Sequence, residues 1–282
     1  MLFASDLDRT LIYSPRTFEG EEWKEKVCSV EIYENKPISF MTKNALRMLK
    51  ELSKRLLFVP VTTRTKLQYR RIHLFQNEII PKYAVTGNGG TIFINNQEDE
   101  GWNSHIKSLS SDTMLLEDII NRFNEIRNDS WVATTSGKVA DGLFYYCIVD
   151  REKIPDRELQ DFTEWAKQQN WDVSLQGRKL YLVPNYVSKR NAVAYIKENE
   201  GVSRVIAAGD SLLDLSMLKY ANQGIVPQHG ELYSLYVHGL IDLSFLHITT
   251  SSGIVSAEEI LTIMLKLCDL NVENCGNTII SA

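Results

Sequence analysis

The 282-residue sequence predicts an α/β fold, a parallel-sheet core interrupted by an inserted α+β segment. Three observations point to it. Short apolar runs alternate with helix-period segments at both ends of the chain, the pattern of a parallel sheet with right-handed crossovers. Between them the order changes to helix, strand, helix, strand, strand, which reads as an α+β module. The length also exceeds that of a typical single domain and leaves room for two modules. The expected division is a discontinuous core from residues 1–88 and 184–282, with residues 89–183 inserted as a cap of roughly 90 residues.

The elements follow in order. Leu2-Phe3-Ala4-Ser5 is an apolar run that stops at Asp6, as a buried strand does on reaching a loop. Residues 14–40 are charge-rich and irregular, and read as a flap or long connection. Thr42 can cap a helix whose apolar positions Ala45, Leu46, Met48, Leu49 and Leu52 fall at helical spacing. Leu56 to Val61 reads as a second strand, weakened at Pro60. A basic amphipathic helix is expected near 65–76, and a third strand at Tyr83-Ala84-Val85 ends in the turn Gly87-Asn88-Gly89-Gly90.

In the inserted segment, helices are expected at 111–127 and 155–169, and strands at 143–149, 171–176 and 178–183. The last two form a hairpin through Gln176-Gly177, and a further strand is placed at 91–95. After Pro184 the alternation returns. Helices are expected at 188–199, 213–220, 230–237 and 254–267, and strands at 204–208, 224–226 and 245–248.

Composition excludes several classes. The chain is 44% hydrophobic and 24% charged, as globular proteins are. Its formal charge of −5 is scattered, with no basic block for nucleic acid and no acidic tail. The start shows no basic stretch followed by an apolar region of about 7–15 residues, so no secretory signal is read there. No apolar run approaches the ~18 residues that span a bilayer. Cys28, Cys147, Cys268 and Cys275 form no CxxC pair and read as reduced thiols of a cytoplasmic protein. The histidines are dispersed and suggest no zinc site.

Four polar groups fall at or near strand ends, where open parallel sheets bind ligands. Asp6-Leu7-Asp8-Arg9-Thr10 follows the first strand. Two carboxylates two residues apart can serve one phosphoryl centre, one attacking and the other moving protons. Thr62-Thr63-Arg64 closes the second strand, offering a hydroxyl and a guanidinium to phosphate oxygens. Lys189 opens a helix, where a positive charge opposes the helix dipole unless it faces anions. Gly209-Asp210-Ser211-Leu212-Leu213-Asp214 follows another apolar strand, with carboxylates able to hold a hard cation. Taken singly, each group also reads as turn-forming aspartates, helix caps or a solvated lysine.

In this order the four groups resemble the motifs of the haloacid dehalogenase-like phosphatases. Asp6, Asp8 and Thr10 match the N-terminal Asp-x-Asp-x-Thr, Thr62 the strand-terminal Thr or Ser, and Lys189 the lysine. Gly209, Asp210 and Asp214 match the acidic motif, so the resemblance covers nearly the whole chain. The long insertion looks like the large α/β cap of the Cof-type subfamily, which includes sucrose-phosphate and mannosyl-3-phosphoglycerate phosphatases. The Asn88-Gly89-Gly90 turn is similar as well.

The resemblance implies a Rossmann-like core and magnesium-dependent hydrolysis of a small phosphorylated metabolite, by analogy a sugar phosphate. Asp6 would be the nucleophile, Asp8 the acid and base, and Lys189 a third catalytic group. Thr10, Thr62, Arg64 and Asn88 would surround the phosphate or the substrate. Mg2+ would be held by Asp6, the Asp8 backbone carbonyl, Asp210 and Asp214. The chain departs from the pattern at Arg9, where relatives usually have Gly, and at Leu213, where many have Asn. Two alternatives stay open: a phosphomutase of the same superfamily, and a catalytically silent phosphometabolite-binding protein, which those departures keep in view. Neither a nucleic acid nor a membrane partner is expected. In the cap, the aromatic residues at 144–146 with Lys138, Arg178 and Lys179 suit a sugar or a second phosphate, or plain core and solvated surface.

Overall fold

The structure, a computed structural model, describes residues 1–18, 20 and 23–277, apart from the side chains of Gln176 and of residues 271–277. β1 (Leu2–Ser5) is buried along its length. Next comes a hairpin of β2 (Val27–Tyr33) and β3 (Lys36–Thr42), which corrects the expected irregular connection over 14–40. Its turn residues Glu34 and Asn35 sit at φ 49° and 60°, the left-handed backbone that a two-residue hairpin loop demands. Charged residues on both sides of this hairpin mask its alternation in the sequence.

α1 (Lys43–Leu52) starts where expected, with Thr42 Oγ1 accepting from the Ala45 N–H at 3.0 Å. β4 (Leu57–Pro60) holds Pro60 without penalty because it is an edge strand, where a missing N–H costs least. The basic helix expected over 65–76 is broken: α2 (Lys66–Arg70) ends early and a π-helical turn spans Leu74–Glu78. β5 (Tyr83–Thr86) is present but pairs antiparallel with β6 (Thr91–Ile94), which continues into β7 (Gln97–Glu98). Its link to β4 is the single bridge between Val61 and Val85.

α3 (Glu100–Leu109) and α4 (Leu116–Asn124) come next, so the helix expected over 111–127 is shorter than its apolar pattern. β8 (Lys138–Ala140), β9 (Phe144–Ile148), α5 (Asp156–Gln168), β10 (Trp171–Gln176) and β11 (Lys179–Pro184) follow. β10 and β11 form the expected hairpin, with Gln176 facing Lys179. The chain closes with α6 (Lys189–Glu200), β12 (Val205–Ala208), α7 (Leu215–Tyr220), β13 (Gln223–Val226), α8 (Glu231–Val237), β14 (His247–Ile248) and α9 (Ser256–Asn277).

The parallel sheet runs β14-β13-β12-β1-β4, so the strand that delivers Asp6 lies between β12 and β4. Side chains alternate across it. Phe3, Phe58 and Ile206 pack with α1 and α9 through Leu49, Leu52, Leu261 and Met264. Leu2, Ala4, Val59 and Ala207 pack on the other face with Ala192, Val193 and Ile196 of α6. Helices therefore cover both faces, as a parallel sheet requires.

β8, β9, β10 and β11 form a separate antiparallel sheet in the order β10-β11-β9-β8. Its apolar cluster joins Phe123, Trp131, Cys147, Phe162, Trp171 and Leu182. The segment before it packs elsewhere: Phe93 lies with Phe58 and Tyr69, and Trp102 and Ile106 lie against α6. Cys28, Cys147 and Cys268 are free thiols, and the Cys275 side chain lies outside those described. Among the described residues no helix is long and apolar enough to cross a membrane.

Candidate active site

Asp6 leaves the end of β1, its N–H donating to the Ala208 carbonyl of β12 at 2.9 Å. The loop closes at once, since the N–H groups of Leu11 and Ile12 both donate to the Leu7 carbonyl at 2.9 Å. Asp6 is 5% exposed and sits at the floor of a cavity of about 550 Å³. Asp8, Arg9, Arg64, Lys189 and Asp210 line the same cavity, joined from β11 by Lys179 and Tyr181.

Lys189 is 1% exposed at the first turn of α6. Its Nζ lies 2.6 Å from Asp6 Oδ1 and 2.5 Å from Asp214 Oδ1. The lysine that opposes the helix dipole is thus held by two carboxylates. Burial works to lower its pKa, but Asp214 and Asp6 together outweigh it and raise it.

The position of Lys189 depends on the turn before β6. Asn88, at φ 58°, donates through Nδ2 to the Val187 carbonyl at 3.1 Å, and its N–H donates to the Thr62 carbonyl at 3.0 Å. Gly89 has φ 104°, and a Cβ there would lie 2.3 Å from the Ser188 carbonyl oxygen. The turn is pressed against the residue preceding Lys189, which excludes any side chain at position 89.

The acidic loop after β12 is organised by Asp214. Its Oδ2 accepts from the N–H groups of Asp210 (3.1 Å) and Ser211 (2.9 Å) and from Ser211 Oγ (2.8 Å). With Oδ1 held by Lys189, both of its oxygens are engaged. Asp210 is 6% exposed, and Oδ2 faces Arg9 Nε at 3.2 Å. Burial raises Asp6 to about 7, with Lys189 opposing and Asp214 and Asp8 adding to the rise. Burial, Asp6 and Asp214 push Asp210 well above the usual carboxylate range.

Asp8 stands apart from this cluster, with its side chain 50% exposed and gripped by Arg64. Desolvation works to raise its pKa, but the charge and hydrogen bonds of Arg64 leave it below the ordinary value. Arg64 also reaches Glu31, a carboxylate with no exposed surface that further accepts from Ser39 Oγ at 2.5 Å and pairs with Arg71 at 3.2 Å. Glu31, Arg71, Tyr181 and His229 were not singled out from the sequence. Glu31 lies on the hairpin taken for a loop, and no spacing relates it to Arg64.

The remaining candidates sit beneath the cavity surface. Thr10 Oγ1 is 3.4 Å from Asp6 Oδ2, and Thr62 Oγ1 accepts from the Arg64 N–H at 3.1 Å. Thr10, Thr62 and Asn88 are all buried, and Asn88 turns toward Val187 instead of lining the cavity.

Asp6, Asp210 and Asp214 bring carboxylate oxygens within 4.8 Å of one another. Hard oxygen donors crowded enough to raise Asp6 and Asp210 fit a small divalent cation such as Mg2+. Asp6 and Asp210 fit as direct ligands. Asp214, with both oxygens taken, fits through water.

A family model described as sucrose-6F-phosphate phosphohydrolase matches residues 1–232. No curated protein sequence matches the chain. Among solved structures, the fold is similar to the sucrose-phosphatase from Synechocystis sp. PCC6803, in complex with sucrose and phosphate. Identity is 17% and the TM-score 0.63, with 94% of this chain and 97% of that chain covered. A sugar phosphatase of haloacid dehalogenase subclass IIB is 11% identical with a TM-score of 0.61, over 94% and 98% of the two chains. The C-terminal domain of trehalose-6-phosphate phosphatase from C. albicans is 12% identical with a TM-score of 0.57, over 93% and 91%.

Proposed function

The chain belongs to the sucrose-6F-phosphate phosphohydrolase family of haloacid dehalogenase-like phosphoric monoester hydrolases, and from this we propose that it hydrolyses a small sugar phosphate through an aspartyl-phosphate on Asp6. The observation that carries this reading is the placement of Asp6 beside Lys189 and Asp210 in one cavity, at the carboxyl end of β1 in the parallel sheet.

The chemistry divides among the chain's own residues. Asp6 attacks phosphorus, the bond from phosphorus to the sugar oxygen breaks, and the leaving oxygen takes a proton from Asp8. Asp8 then takes a proton from water, which attacks the aspartyl-phosphate, frees inorganic phosphate and restores Asp6. Lys189 opposes the burial that raises Asp6 and offsets the charge of the incoming phosphate. Thr62 and Lys189 are the proposed donors to the phosphate oxygens. Asp6, the Asp8 carbonyl and Asp210, with Asp214 through water, would hold Mg2+, which when bound would supply positive charge to the transferring phosphoryl group.

Asp8 must carry a proton in the first half-reaction, and Arg64 holds it ionised. The arrangement described is therefore the resting one, which Asp8 leaves when substrate enters. The inserted segment 89–183 is proposed as the cap that closes over the leaving group. Within it, residues 116–183 carry the separate sheet and cluster, while Phe93, Trp102 and Ile106 remain with the core. A cap of this kind excludes water and reads the sugar.

The test is phosphate release from a panel of sugar phosphates, with Mg2+ or with chelator, by the wild-type protein and by Asp6→Asn. Metal-dependent release that disappears in a folded Asp6→Asn protein is expected. Turnover surviving in Asp6→Asn would remove Asp6 as nucleophile, and sugar-phosphate isomerisation without release would replace hydrolysis with mutase chemistry.

A further inference from the structure

We infer that Arg9 is a built-in competitor for the divalent cation at Asp210, so that metal binding and release of the Arg9 side chain into the cavity are a single coupled event. This rests on the reading of Asp6 and Asp210 as metal ligands.

Arg9 occupies a backbone conformation that favours glycine, with φ 63°. Any residue with a Cβ is strained in that conformation, so the contacts of the Arg9 side chain have to offset the cost. Its Nε lies 3.2 Å from Asp210 Oδ2, and its Nη2 donates to the His229 carbonyl at 2.7 Å. The return contact closes a latch. The Gly253 N–H donates to His229 Nδ1, so Nε2 carries the proton and donates to the Arg9 carbonyl at 2.9 Å.

With this latch closed, every carboxylate of the acidic cluster has a cationic partner. Lys189 serves Asp6 and Asp214, and Arg9 serves Asp210. Lys189 is fully buried and bonded to both its partners, so it stays in place. Arg9 differs because its side chain is 52% exposed, and a partly solvated pair is weak enough for a divalent cation to displace. A cation bound to Asp210 repels the guanidinium, which then stands free at the wall of the cavity that receives the anionic substrate. Metal binding would thereby add a substrate-facing positive charge that the metal-free protein keeps paired, a positive coupling between the two ligands.

The experiment is calorimetric titration of Mg2+ alone into the metal-free wild-type chain and into Arg9→Gly, Arg9→Gln and Asp210→Asn. Glycine suits the left-handed backbone, so Arg9→Gly keeps the loop. Both Arg9 variants are expected to bind Mg2+ about 2- to 5-fold more tightly, the range set by a partly exposed ion pair. Unchanged or weaker binding in either Arg9 variant overturns the inference, including the case in which only Arg9→Gly tightens, which would assign the effect to bulk. Asp210→Asn separates this result from the reading beneath it. If that variant binds Mg2+ as the wild type does, the metal assignment itself fails. If it loses affinity while the Arg9 variants match the wild type, the inference alone fails.

Discussion

Arg64 grips Asp8 with two hydrogen bonds, Nε to Oδ2 at 2.8 Å and Nη2 to Oδ1 at 2.7 Å, while its Nη1 reaches Glu31 at 2.7 Å. One guanidinium thus ties the loop that follows β1 to the β2–β3 hairpin. Replacing it with alanine leaves the buried Glu31 with only Ser39 and Arg71. Arg64→Ala should lose about 3 kcal/mol of stability, the low end for a broken buried pair because Arg71 remains. Urea unfolding measures this, and Glu31→Gln in the same background should recover part of the loss. An unchanged midpoint would mean that water, not Arg64, compensates Glu31.

Lys189 is what keeps Asp6 ionisable. In metal-free protein, carboxyl NMR should follow Asp6 titrating near pH 7. Lys189→Met removes the largest influence opposing the burial of Asp6, so its midpoint should move upward. Near neutral pH the variant would then carry a protonated, non-nucleophilic Asp6. A midpoint that stays put or falls contradicts this account of the pair.

Gly89 and Gly142 provide a controlled comparison. Both have positive φ, 104° and 73°, but a Cβ at 89 meets the Ser188 backbone, while one at 142 meets nothing within 4 Å. Gly89→Ala should cost about 2 kcal/mol or more and reduce activity by shifting the start of α6, whereas Gly142→Ala pays only for its backbone. Thermal unfolding and kcat for the two variants test the difference. Equal effects would show that position 89 has room.

His229 makes stability depend on pH. Burial lowers its pKa below the ordinary value, with the Arg9 carbonyl opposing and the Arg9 charge adding to the fall. A base with a depressed native pKa binds its proton more readily when unfolded. Its contribution is complete above about pH 6.5 and is lost as pH falls toward the native pKa. Protonation also removes the acceptor for the Gly253 N–H. Denaturation midpoints between pH 7.5 and 5.5 should therefore fall more steeply for the wild type than for His229→Gln. Parallel curves would exclude His229 as a source of acid sensitivity.

Local chemistry made part of this protein readable. An apolar run that stops at Asp6, a helix cap at Thr42, the Gln176-Gly177 turn and a lysine set against its own helix dipole are signals carried by neighbouring residues. The β2–β3 hairpin was lost because its left-handed turn is Glu-Asn, without the glycine that usually marks one, and its strands are dense in charge. The basic helix expected after Thr65 is too long because periodicity continues past Arg71, where α2 has ended, into the π turn that begins at Leu74.

The sequence alone determined the order of the four motifs and the parallel core, and it put forward the residues proposed for phosphoryl transfer. Only the tertiary structure decided how those residues are shared out. Asn88 turns to Val187, just ahead of the helix that carries Lys189, Asp214 engages both oxygens in organising its neighbours, Arg64 joins Asp8 to Glu31, and Arg9 faces Asp210. These partners come from different strands and loops, and they meet because the sheet order sets β1 between β12 and β4. Sequence spacing reports what one turn of helix or one strand end can reach, whereas charge pairing across a sheet depends on which ends the fold brings together.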